Sequence, residues 1–158
     1  MSKPTERRGP LRPDLEQRVK SIALTLGMLW DGMGGAYREQ LPDGRAVWRV
    51  YDQWGGLGGS AVIDAANEEL LSIDETPPER DASVVPLPPK QRPDEAELLA
   101  FARKQLGVLK WRVPAGMVVV QGKTDKDWRV QSEEAESPTV LEIQGGKGRL
   151  HLIRISRL

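Results

Sequence analysis

The stretches Ala46-Val47-Trp48-Arg49-Val50-Tyr51 and Asp127-Trp128-Arg129-Val130-Gln131 share a Trp-Arg-Val centre eighty positions apart, and that spacing organises the rest of the chain. At the same offset Arg12-Pro13-Asp14 meets Arg92-Pro93-Asp94, and Leu26-Gly27-Met28-Leu29 meets Leu106-Gly107-Val108-Leu109. Residues 12–50 against 92–130 give nine identities in thirty-nine without a gap, where unrelated chains of ordinary composition give about two or three. A repeat of this kind constrains the fold before local propensity does. Past Val50 the register slips by two, as a hairpin loop of different length would make it, and then recovers. Val62-Ile63-Asp64 meets Val140-Leu141-Glu142, and Leu70 with Ile73 meets Leu150 with Ile153.

The matched positions also make physical sense. Asp14 and Asp94 follow a proline, with Gln17 and Glu97 three residues on, the spacing of a capping box in which the aspartate accepts from backbone N–H groups of the first turn. Leu15, Val19, Ile22, Leu26 and Leu29 then recur at steps of four and three, one apolar stripe of an amphipathic helix. Leu99, Ala102, Leu106 and Leu109 form the corresponding stripe of the second copy. Gly27 and Gly107 are expected just past the helix ends, where a left-handed residue closes the last turn. Downstream, 46–51, 60–64 and 70–74 read as strands, with a shorter one over 36–40. Their counterparts are 127–131, 139–143, 149–155 and 117–121, separated by turn signals such as Pro42-Asp43-Gly44 and Gly145-Gly146-Lys147-Gly148.

The expected fold class is therefore α+β, a tandem duplication of a helix followed by a three- to four-stranded antiparallel sheet. A basic arm covers residues 1–11, the first repeat 12–74, a proline-rich linker 75–91 and the second repeat 92–158. With 39% hydrophobic and 29% charged residues the chain has the composition of a globular protein. Its net charge of zero argues against a module devoted to duplex DNA, which carries a strongly basic footprint. The absence of cysteine excludes disulfides, thiolate metal sites and cysteine nucleophiles. Met1 to Pro13 is polar and basic, without the apolar core of a secretory signal, and no window is apolar enough for a membrane span; a cytoplasmic location is expected.

Few residues carry chemistry. The glycine-rich run Trp30-Asp31-Gly32-Met33-Gly34-Gly35 lacks the Gly-Lys-Ser/Thr ending of a phosphate loop and follows a helix where such a loop would lead into one. Trp48 and Trp128, equivalent strand residues, read as the large core side chains that join sheet to helix. Trp54 lies in the glycine-rich loop after Tyr51, whereas the matching loop after Gln131 is Ser132-Glu133-Glu134-Ala135-Glu136-Ser137-Pro138. Scaffold is shared and loops differ, and aromatic residues on loops held by a rigid scaffold are apt binding anchors. Trp30, Tyr37, Trp54 and Leu57 are accordingly the expected partner-binding residues. The lone His151 has no Ser or Cys partner motif and lies among Lys147, Arg149 and Arg154; with Arg7 and Arg8 these form a patch for an acidic partner or single-stranded nucleic acid. No catalytic, cofactor-binding or metal-ligating residue is assigned.

From Val47-Trp48-Arg49-Val50 to Ala61-Val62-Ile63-Asp64-Ala65-Ala66-Asn67-Glu68-Glu69-Leu70-Leu71 the first repeat resembles the PepSY domain, in which an aromatic strand, a strand ending in Asp-Ala, a turn and an apolar strand follow a helix. Asn67-Glu68 stands where that pattern has Thr-Gly. Two helix-plus-sheet units in tandem also look like the architecture of beta-lactamase inhibitory proteins. Both resemblances imply a non-enzymatic protein that binds or regulates another protein. The expected function is thus a non-catalytic protein-binding or regulatory module using its divergent loops, with single-stranded nucleic-acid binding as the alternative and a homodimer as a further expected form.

Overall fold

A computed structural model describes residues 12–32, 34–53, 58–75, 90, 92–122, 124–133 and 138–158. The chain divides into two compact units, one comprising residues 1–24 and 29–76 and the other 25–28 and 77–158. Among the described residues there are two α-helices and eight strands, four strands to each unit, so the α+β class holds.

In the first unit, α1 (Pro13–Thr25) precedes β1 (Ala36–Gln40), β2 (Ala46–Tyr51), β3 (Ser60–Asp64) and β4 (Leu70–Asp74), all at the expected positions. The strands form an up-and-down antiparallel meander. Alternation puts Ala36, Trp48, Val50, Ala61, Ile63 and Ile73 on one face of the sheet, and these are buried together with Leu15, Val19 and Ala23 of α1. Burying a side chain of this size contributes about 1.5–3 kcal/mol each. The opposite face has its own small cluster, Val47, Val62 and Leu71 with Leu41 against it.

The start of α1 differs from the expected capping box. Pro13 occupies the first helical turn, a position that needs no N–H, and Arg12 supplies the carbonyl that receives the N–H groups of Leu15 and Glu16. Asp14 lies inside the helix, where Arg12 takes its carboxylate through Nε (2.9 Å) and Nη2 (2.8 Å). That pairing holds the Asp14 carboxyl down at about 2. Arg12 also reaches Glu68 in the β3–β4 turn at 2.8 Å and covers the Trp48 ring at 5.2 Å, so one arginine ties the helix start to the sheet. At the other end α1 stops at Thr25 and Gly27 takes the left-handed conformation (φ 79°) as expected. Leu29 therefore leaves the buried stripe.

In the second unit, α2 (Glu95–Val108) precedes β5 (Met117–Gln121), β6 (Asp127–Ser132), β7 (Val140–Gly146) and β8 (Arg149–Ser156), again a consecutive antiparallel meander. Asp94 caps α2 as expected, accepting from the Glu97 N–H at 2.7 Å, but the Glu97 carboxylate turns away to the Gly148 N–H at 2.9 Å. The helix passes through Gly107 and closes three residues later. Lys110 adopts the left-handed conformation (φ 59°), its N–H bonds the Gly107 carbonyl, and the Trp111 N–H bonds that of Leu106. This is a Schellman closure, completed by the burial of Trp111 and Leu106. The buried stripe runs through Leu98, Ala102, Gln105 and Leu106, one position from the expected Leu99. Trp128 is buried in β6, as Trp48 is in β2. No described helix is long and apolar enough to cross a membrane.

Candidate binding surface

The segment after α1 is fastened to the first sheet by two buried carboxylates. Asp52, one residue beyond β2, accepts from the Asp31 N–H and, at 3.1 Å, from the Gly32 N–H. Glu75, one residue beyond β4, accepts from the Leu29 N–H at 3.0 Å. Both carboxylates are nearly inaccessible, at 6% and 4% exposure. A buried acidic side chain is retained where backbone donors compensate its lost hydration, and charge-assisted bonds of this type are about twice as strong as neutral ones.

Glycine completes the attachment. Gly34 donates to the Tyr51 carbonyl at 3.2 Å, and a Cβ at Gly34 would lie 2.6 Å from the Tyr51 and Gln53 carbonyl oxygens. Only a residue without a side chain lets the two backbones come this close. At the exposed rim, Gln53 Nε2 approaches Asp31 at 3.4 Å. The near ends of the loop after α1 and of the loop after β2 therefore lie side by side.

Aliphatic side chains face solvent both in this anchored segment and at the end of α1. Leu29 is 71% exposed and Leu24, in the last turn of α1, 56%. Trp30, expected as a partner-binding anchor, faces the other way. It is 5% exposed, and Gly32 sits between its indole and the aliphatic stem of Lys20. The loop was legible, but the outward side chain is Leu29, which the helical periodicity had placed in the core. Continued through residues 26–29, the helix would have kept Leu29 on the buried stripe; the left-handed Gly27 turns it outward.

Tyr37 is half-buried on the opposite face of the sheet, with its ring folded over Gly35 and set edge-to-face on Tyr51 at 5.7 Å. Arg49 Nε donates to Glu39 at 2.7 Å and the Tyr51 hydroxyl lies 3.4 Å from the same carboxylate. Burial, then the negative charge of Glu39, push the Tyr51 hydroxyl above its ordinary pKa. Tyr37 and the Leu29 segment thus share the end of the sheet where β1 begins and β2 ends. Trp54 and Leu57 lie outside the described residues.

In the second unit the strand register puts Arg149, His151 and Arg154 on one face, opposite Gly146, Gln144 and Glu142 of β7. Arg129 of β6 joins that face and pairs with Glu142 at 3.2 Å. Lys147 is exposed in the β7–β8 turn, whereas Arg7 and Arg8 are outside the described residues. Trp111 and Trp128 are buried, which leaves no described aromatic ring on this face for stacking. No group of three or more His, Asp and Glu side chains suited to a metal ion occurs among the described residues. No family model matches the chain, and neither the curated proteins nor the solved structures compared with it show a similarity.

Proposed function

We propose that the chain is a non-catalytic protein-binding module whose contact surface is the loop end of the first unit. The observation that carries this reading is the solvent-facing Leu29 on a segment whose backbone is fixed by Asp52 and Glu75. Exposed aliphatic side chains gain most from a partner when their backbone is already ordered, because little conformational entropy remains to be lost. Leu24 adds a second exposed aliphatic side chain in the last turn of α1, Tyr37 lies at the same end of the sheet, and Trp54 and Leu57 are read as further anchors of the loop after β2. The two units are read as copies of one ancestral helix-plus-sheet unit, with the scaffold kept and the loops diverged. The PepSY-like pattern points to the same class of function.

The test is the pair Leu24→Ser and Leu29→Ser, compared with Trp54→Ala and Leu57→Ala. Each pair is expected to abolish capture of a partner that the unaltered chain retains, with thermal unfolding nearly unchanged. Collapse of stability in the Trp54 and Leu57 pair would make those residues core and remove them from the surface.

A second reading, binding of single-stranded nucleic acid, is favoured by the shared face of Arg149, His151 and Arg154. It predicts an affinity that falls steeply with salt as counterions are released. Binding that is absent or insensitive to salt eliminates it.

A further inference from the structure

We propose that two copies of this chain associate edge to edge through β5, antiparallel about a two-fold axis at Val119. Among the described residues β5 is an end strand that pairs with β6 alone. The direction of its free backbone groups follows from the register. The Gly122 N–H bonds the Asp127 carbonyl and the Glu133 N–H bonds the Gly116 carbonyl, so the even-numbered positions Gly116, Val118, Val120 and Gly122 turn their polar groups to β6. In an antiparallel ladder the alternate residues then direct theirs away. Met117, Val119 and Gln121 each present along the open edge an N–H and C=O that no strand among the described residues pairs.

That edge is its own complement. With the axis at Val119, Val119 faces Val119 of the second copy, Met117 faces Gln121, and Val118 faces Val120. Each outward residue exchanges both backbone bonds with its opposite number. The strand Met117-Val118-Val119-Val120-Gln121 holds no charge, proline or glycine, the usual devices that keep an edge from pairing, so no like charges meet across the axis. The other end strand, β1, carries Arg38 and Glu39 and is protected in the ordinary way.

Burial gives a second, independent sign. No residue of β5 is fully buried, whereas β6, β7 and β8 each contain buried apolar residues. Val120 is 42% exposed, and Val113 and Val108, in the chain leading into β5, are 41% and 37% exposed. Val120 thus leaves apolar surface open on the edge strand itself, where a second β5 would cover part of it. A second copy is preferred to an unrelated strand because both the hydrogen-bond phase and the side-chain pairs match under the two-fold operation.

The experiment is sedimentation equilibrium of the full chain up to roughly 100 µM, a range that detects a micromolar Kd, combined with amide hydrogen exchange. Dimer formation is expected, with exchange at Met117, Val119 and Gln121 slowing as concentration rises while the amides of Val118 and Val120 stay unchanged. Val119→Pro removes an N–H that β6 does not use, so it should yield a folded monomer. Val120→Lys places a charge on the edge and should do the same, which decides the matter if the proline variant fails to fold. A wild-type monomer throughout this range would overturn the proposal. So would a folded Val120→Lys variant that dimerises as well as the unaltered chain, or concentration-dependent protection confined to other strands.

Discussion

Replacing Asp52 by alanine removes the acceptor for two backbone donors at once. The Asp31 and Gly32 N–H groups both bond Oδ1 of a side chain that is 6% exposed. A hydrogen bond to a charged group contributes about 1.5–3 kcal/mol, and the exposed rim of the segment lets part of that loss be recovered by water. A destabilisation of about 2–4 kcal/mol is expected, large against the 5–15 kcal/mol that holds a typical protein together. In a chain of this length each kcal/mol lowers Tm by about 2–4 °C. Because both donors use one oxygen, Asp52→Asn keeps both bonds as neutral ones and should lose only about 1 kcal/mol. Urea unfolding monitored by tryptophan fluorescence measures the two costs, and amide exchange at Asp31 and Gly32 locates them. An alanine variant within about 0.5 kcal/mol of the unaltered chain, or an asparagine variant as damaged as the alanine one, would refute the clasp.

Gly34→Ala should destabilise by about 2 kcal/mol or more, since its Cβ meets backbone oxygens that cannot yield; thermal unfolding measures it. Gly107→Ala should instead stabilise α2 by about 0.5–1 kcal/mol, because the position is helical and its Cβ meets nothing within 4 Å. Lys110→Gly should relieve the left-handed backbone (φ 59°) by up to about 1 kcal/mol, read from the same urea curves. The Asp14 carboxyl should titrate near 2 by NMR, below its ordinary 3.8, and Arg12→Gln should move it back up, the hydrogen bond from Arg12 being the main cause. As the folded-state value is the lower one, the contribution of this pair is present above pH 3.8 and fades as the pH falls towards 2.

Periodicity made most of the scaffold legible. Strand alternation over 46–51 and 127–131 and the apolar steps from Leu15 to Val19 depend on local pattern, and they place Trp48 and Trp128 in the core as expected. The helix ends were less legible because competing partners decide them. Asp14 has the spacing of a cap, yet Arg12 two residues away binds it more strongly than the turn does. Gly107 has the chemistry of a terminator, but the sequence after it lets the helix run to Val108 and close on Lys110, with Trp111 buried against Leu106. At the candidate surface, the segment was marked by its glycines, whereas the outward turn of Leu29 and inward turn of Trp30 depend on Asp52 and Glu75. Those carboxylates lie 21 and 46 residues away from the donors they bind, and nothing in the local sequence signals such a pairing.

The central claim is that the Leu29 segment is a preformed protein-binding surface. Its most direct measurement compares immobilised unaltered chain with the Leu24→Ser, Leu29→Ser double variant in affinity capture, at matched folded fraction and with quantitative mass spectrometry of the bound proteins. The account predicts a specific partner retained by the unaltered chain, lost from the double variant and retained by Arg149→Ala, with both variants unfolding within about 0.5 kcal/mol of the original. The same partner bound equally by the double variant would contradict it.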